Sequence, residues 1–247
     1  MILAAIGFYE AAAILGALFC IVLFAVYCIF NVVDDGLKQM ARLETDTAYR
    51  AETLAGLDEK IRLAPGKHNL YLQRANVRRF SGDHAGVVED LAKYLEHDPR
   101  DDSAWFELAE ALLALGKAEE ALGAIDRALA LDENYADYYP VKIRAALVAE
   151  KPDKADDAME KWEELEQRLE DADRGRKRPQ MLAGRPLSPF VAHPALPLYR
   201  AMILLQRGDK DEAAAIAREA LKENDAVNEF LHEDRFFAPL KNLGDNN

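Results

Sequence analysis

Along residues 104–131 apolar side chains return every third or fourth position, break at a glycine, and resume. Trp105, Leu108, Ala109 and Leu112 form one stripe, and Ala121, Ile125, Ala128 and Leu131 form another. This i, i+3, i+4, i+7 spacing belongs to amphipathic helices. Gly116 stands between the stripes, where a helix end takes up left-handed backbone that glycine tolerates at little cost. The small residues Ala109, Ala121 and Ala128 let two antiparallel backbones approach closely. The pattern predicts a pair of packed helices with a tight turn.

The same landmarks recur 34 positions away. Gly82 precedes Gly116, Ala75 precedes Ala109, and Tyr71, Trp105 and Tyr139 fall in register. So do Val87, Ala121 and Ala155, then Leu91, Ile125 and Met159, then Tyr94, Ala128 and Trp162. Pro65 and Pro99 close preceding units at that interval, because proline cannot continue a helix. One hairpin cannot bury its own apolar face, so hairpins at a fixed period must stack. Full units are expected over 68–101, 102–135 and 136–169. The third departs from pattern, with Glu150 at the turn glycine and Ile143 at the close-packing alanine. Its second helix is expected to run long, with Glu164, Glu166 and Glu170 on a solvated face. After an insertion, Ala201, Leu204, Gly208, Ala213 and Ala220 repeat the intervals of Ala109, Leu112, Gly116, Ala121 and Ala128.

This pattern resembles the tetratricopeptide repeat family, most fully over residues 102–135. The resemblance implies an all-α solenoid whose first helices line a concave groove that receives a peptide or helix of another protein. Carried onto this chain, the groove positions are Asn69, Leu72, Asn76, Arg79 and Phe80 in the first unit. Phe106, Glu110 and Leu113 follow in the second, with Ser103 and Ala114 beside them. Arg144 and Leu147 follow in the third, with Asp137 and Val148, and Met202 in the fourth, with Leu198 and Leu205. Members that grip acidic chaperone tails use basic residues and asparagines. Asn76 fits that set, but Leu72, Glu107, Asp137 and Val141 hold its other positions. A hydrophobic helix or extended segment is the expected ligand instead.

The N-terminus carries a different signal. Residues 11–30 are twenty consecutive uncharged, mostly apolar positions, and Glu10 is the only charged residue before Asp34. About 20 such residues cross a hydrocarbon core. A cleaved signal peptide would need a basic start and a shorter run. Residues 1–33 are therefore expected to be a single-pass anchor in membrane lipid. Lys38, Arg42 and Arg50 follow the run and none precedes it, which points the repeats to the cytoplasm. The periplasmic side is the alternative, by architectural analogy with bacterial cytochrome maturation factors that anchor a repeat domain. Ala12, Gly16 and Cys20 share one helix face as a small-residue row suited to packing on another transmembrane subunit. Residues 34–66 read as a helical connector, in one helix or two, whose stripe from Leu37 through Met40, Ala48, Leu54 and Leu57 to Ile61 covers the first repeat.

Between the third and fourth units, residues 174–193 form a loop rich in proline. Arg174, Arg176, Lys177, Arg178 and Arg185 make it the one basic cluster of the chain, a candidate contact for anionic lipid or a partner. The division expected is thus an anchor over 1–33, a connector over 34–66, three repeats over 67–173, the loop over 174–193, and a fourth repeat over 194–227. An aromatic tail over 228–247 then covers the last hairpin.

Charge narrows the partners. With 31 basic and 44 acidic residues the net charge is −13, which repels phosphate backbones and disfavours nucleic acid. Cys20 and Cys28 lie about 12 Å apart on one helix and cannot bridge. The five histidines are scattered and no glycine-rich phosphate loop or nucleophile turn is present. The sequence thus points to a binding scaffold without cofactor or metal rather than to an enzyme.

Overall fold

In a computed structural model of the chain, residues 36, 38–174, 181–182, 185–186, 195–223, 227 and 234–244 are described. A short helix, α1, covers 38–45. It is followed by α2 (Thr47–Leu63), α3 (Asn69–Phe80), α4 (His84–Leu95), α5 (Asp102–Ala114) and α6 (Ala118–Leu131). Then come α7 (Tyr138–Val148), α8 (Pro152–Arg174), α9 (Leu196–Arg207) and α10 (Lys210–Glu223). A 3-10 turn (Arg235–Phe237) leads into α11 (Ala238–Gly244). Between α8 and α9 a two-residue antiparallel pair joins β1 (Met181–Leu182) to β2 (Arg185–Pro186). The architecture is an all-α solenoid of stacked hairpins: α3 with α4, α5 with α6, α7 with α8, α9 with α10.

The hairpins share one closure. The backbone N–H of Asp83, Lys117, Lys151 and Asp209 donates to the carbonyl of Arg78, Leu112, Ala146 and Leu204, respectively, at 2.8 to 3.1 Å. Each such bond needs one residue in left-handed backbone just before it. Gly82, Gly116 and Gly208 supply it with φ of 70°, 73° and 98°. In the third hairpin Glu150 adopts φ 57° instead, so the turn keeps its geometry at some expense in strain. Helix starts are fixed by aspartates. Asp46, Asp83 and Asp101 accept from the backbone N–H of Tyr49, Gly86 and Ala104 at 2.9, 3.0 and 3.0 Å.

Small residues set the helix spacing. Ala75, Ala109, Ala121, Ala155, Ala201 and Ala213 have no exposed surface, and Ile143 is equally buried at its alanine-equivalent position. Leu91, Ile125, Tyr138 and Trp162 fill the space between hairpins, each contributing about 2 kcal/mol or more of apolar burial. In the first hairpin Asp90 is fully buried. It accepts from Arg74 Nε at 2.9 Å, Arg74 Nη2 at 2.5 Å and Arg78 Nη1 at 2.9 Å. At the far end Phe237 and Leu240 enter the core and close the last hairpin.

Three expectations need correction. Of the two arrangements open for the connector the chain has two helices, parted at Asp46, but only Leu57 and Ile61 of its stripe are buried while Met40 is 52 % exposed. The reason is that α2 alone packs on α3. Leu131 is exposed, because α6 ends there and nothing covers its last turn. Glu166 is half-buried rather than on a solvated face. It accepts from Trp162 Nε1 at 3.2 Å, and burial raises its pKa.

No helix among the described residues is long and apolar enough to cross a membrane. The candidate span at 11–30, with Ala12, Gly16 and Cys20, lies outside the described residues.

Candidate functional site: the concave surface

The first helix of each hairpin, α3, α5, α7 and α9, faces the inner curve. Their small or apolar packing positions, Ala75, Ala109, Ile143 and Ala201, are fully buried. At the first unit Asn69 and Arg79 are exposed, and Leu72, Asn76 and Phe80 are half-buried. The Arg79 guanidinium lies 5.0 Å from the centroid of the Phe80 ring. Asn76 lines a cleft of about 550 Å³ whose far wall is α2, through Thr53, Gly56 and Lys60. The connector thus forms one rim of the groove, which the family pattern gave no reason to expect.

In the second unit Phe106 is half-buried and packs against Tyr138, 5.1 Å between ring centroids. Leu113 is half-buried beside it. Glu107 Oε2 is shielded from solvent and has no hydrogen-bond partner among the described residues. Desolvation raises the pKa of Glu107, Arg79 opposes that shift, and Glu110 and Asp101 add to it. Glu110 is exposed, and desolvation by its neighbours raises its pKa too, with Asp137 adding to the shift. Arg79 and Arg144 pull it the other way. The floor therefore alternates in charge, Arg79, then Glu107 and Glu110, then Arg144.

The distal end differs. Leu147 is buried, Met202 and Leu205 are half-buried, and Val148 is 50 % exposed. With Gln206, Phe236 and Pro239 they enclose a cleft of about 260 Å³. Leu198, expected to face the groove, is fully buried instead. Arg144 does not stand free, for it pairs with Asp234 Oδ2 at 3.0 Å. Periodicity gave no hint of this, since the two residues are 90 positions apart and Asp234 lies outside any repeat. Of the basic cluster, Arg174 closes α8 and Arg185 sits in β2. Arg176, Lys177 and Arg178 lie outside the described residues. No group of three His, Cys, Asp or Glu side chains able to hold a metal occurs among the described residues.

Residues 81–147 match the family model of the tetratricopeptide repeat. Those residues are tetratricopeptide repeats, and the solenoid around them has the same fold. Among solved structures it is similar to MamA, at 17% identity and a TM-score of 0.57, covering 75% of this chain and 95% of that one. It is also similar to a tetratricopeptide repeat protein from Parabacteroides merdae, at 13% identity and a TM-score of 0.56, covering 83% and 69%. At such identities the likeness is one of fold. No curated relative matches the chain. The tetratricopeptide fold is that of a protein interaction scaffold.

Proposed function

We propose that this chain is a membrane-tethered scaffold that recruits a protein partner by holding one of its segments along the concave face of α3, α5, α7 and α9. The observation that carries this reading is Glu107. Its Oε2 is one of three shielded carboxylate oxygens without a hydrogen-bond partner among the described residues, with those of Asp156 and Glu166, and it alone lies on the first helix of a hairpin beside exposed Glu110 and Arg79. A change of rotamer would bring it to a lysine, arginine or amide N–H of a partner segment. Half-buried Leu72, Phe106 and Leu113 around it supply apolar contact for the same segment. Tethering rests on the uncharged run at 11–30, and the cytoplasmic orientation on Lys38, Arg42 and Arg50.

Photo-crosslinkers at Arg79, Phe106 and Leu113 in native membranes test the groove, with Leu131 as the outer-surface control. Capture of one protein from the three groove sites, lost on Glu107→Arg, supports the reading. Capture from Leu131 alone would reverse it.

A second reading, a structural subunit or assembly factor of a membrane complex, draws on the small-residue row Ala12, Gly16 and Cys20. Mild detergent extraction and sizing separate the two. A stoichiometric assembly that dissociates on replacing these three residues by leucine favours the subunit. A chain that leaves the membrane without companions favours the recruiter.

A further inference from the structure

The segment from Asp234 to Pro239 faces two ways. Phe237 points inward, fully buried, with its ring 4.9 Å from that of Tyr199 in an edge-on contact. Asp234 and Phe236 turn onto the concave face. There Arg144 Nη1 donates to Asp234 Oδ2 at 3.0 Å, and the guanidinium lies 5.0 Å from the Phe236 ring centroid. Phe236 and Pro239 wall the distal apolar cleft opposite Leu147, Val148, Met202 and Leu205. A charge-assisted hydrogen bond, a cation held over a ring and an apolar shelf thus meet at one place, the elements by which grooves read short peptides.

These groove-side contacts border the closure of the solenoid, for the Phe236 ring lies 5.9 Å from that of Tyr199 and 5.1 Å from that of Phe237. Phe237 and Leu240 are the residues sunk in the core. Phe236 stays half-buried, and Arg144 and Asp234 both keep side-chain exposure, 37% and 28%. An accessible pair of this kind holds only weakly and exchanges readily.

We propose that the distal end of the concave surface recognises a protein segment that makes a 3-10 turn with an acidic residue two positions before an aromatic one, and that the chain's own Asp234 and Phe236 occupy it as an internal competitor. The inference rests on the groove being the recognition surface and specifies the chemistry of what enters its far end. A tethered occupant acts at an effective concentration of about a millimolar. A short ligand therefore competes poorly, while a partner that also reaches Leu113 and Glu107 displaces the tail.

The test uses the full chain in mild detergent and a fluorescein-labelled peptide of residues 231–239 with alanine at the Phe237 position. The recipient is the double variant Asp234→Ala/Phe236→Ala, which retains Phe237. Anisotropy is expected to show binding to the double variant at least about tenfold tighter than to the unaltered chain. Adding Arg144→Ala should abolish that gain, and a peptide with lysine in place of its aspartate should not bind. Equal affinity for both chains, affinity indifferent to Arg144, or no binding to either overturns the proposal. Should circular dichroism find the double variant unfolded, the single change Asp234→Asn takes its place with the same expected order of affinities. The crosslinking at Arg79, Phe106 and Leu113 reads the proximal groove independently. Capture there with no peptide binding sinks this inference alone, and peptide binding with no capture sinks the broader reading alone.

Discussion

Asp90→Ala isolates the charge buried in the first hairpin. Asp90 has no exposed surface and accepts three hydrogen bonds from two guanidinium groups, at 2.5 to 2.9 Å. Removing one side of a buried ion pair runs about 3–5 kcal/mol. The lower end applies here. Arg74 keeps Asp58 at 2.6 Å, and Arg78 keeps the Gly86 carbonyl at 3.0 Å. Both arginines also retain some solvent contact, 11% and 19% of their side-chain surface. The expected loss is about 3 kcal/mol. With a urea slope of about 2 kcal/mol/M, the midpoint followed by far-UV circular dichroism falls by about 1.5 M. Because hairpins couple only to their neighbours, the loss should concentrate in α2 to α4. Hydrogen exchange should accelerate there and stay slow in α9 and α10. Replacing the whole cluster with apolar residues, Asp90→Leu with Arg74→Met and Arg78→Met, should restore most of the stability. A midpoint shift under about 0.3 M for Asp90→Ala, or exchange that quickens evenly along the array, would refute the argument.

Other expectations follow from single sites. Glu150→Gly relieves left-handed backbone at a non-glycine residue and should stabilise by about 0.5–1 kcal/mol in thermal melts, while Gly116→Ala should destabilise by about 1–2 kcal/mol. Equal and small effects at both turns would mean that the closure is not strained. Phe237→Ala empties a fully buried site and should lose about 3–5 kcal/mol, read as early melting of α9 and α10. Glu107→Gln removes an ionisable group whose folded-state pKa is raised. Above that pKa the native state holds an unwelcome charge that the unfolded chain solvates, so the variant should be more stable near neutrality by about 1 kcal/mol. The advantage should shrink as pH falls through the raised pKa toward the ordinary value of 4.5. An advantage that grows on acidification would reverse the sign of the argument.

The helical hairpins were legible because a stacked array repeats its own neighbours. Gly82, Gly116 and Gly208 marked the turns, and the alanines at 75, 109 and 201 marked where helices touch. Even Glu150, where the pattern lapsed, lies at the expected turn, since hydrogen bonding to Ala146 fixes the backbone whatever the side chain. What periodicity did not reveal was whatever crosses between units or leaves them. Asp90 occupies a site where the second repeat has Ala124, and only the arginines on α3 make its burial tolerable. Glu107 was read only as a mismatch to another groove chemistry, because spacing carries no account of hydrogen-bond completion. The aromatic tail was legible as a cover for the last hairpin, but its grip on Arg144 depends on a turn at Asp234 that no repeat template contains.

The junction between α8 and α9 carries a consequence of its own. Around an open cleft of about 460 Å³, Arg200 holds Glu163 at 2.6 Å, and Arg207 holds Asp153 at 3.0 Å and also contacts Asp156. The junction before it also carries pairs, Lys142 with Asp126 at 2.8 Å and Lys151 with Glu119 at 2.5 Å, beside fitted alanines that ignore dissolved ions. Exposed pairs weaken as the Debye length shrinks from about 10 Å at 0.1 M to about 3 Å at 1 M. Brine should therefore loosen this superhelix at its last two vertebrae, swinging the terminal coils while the first keeps its pitch.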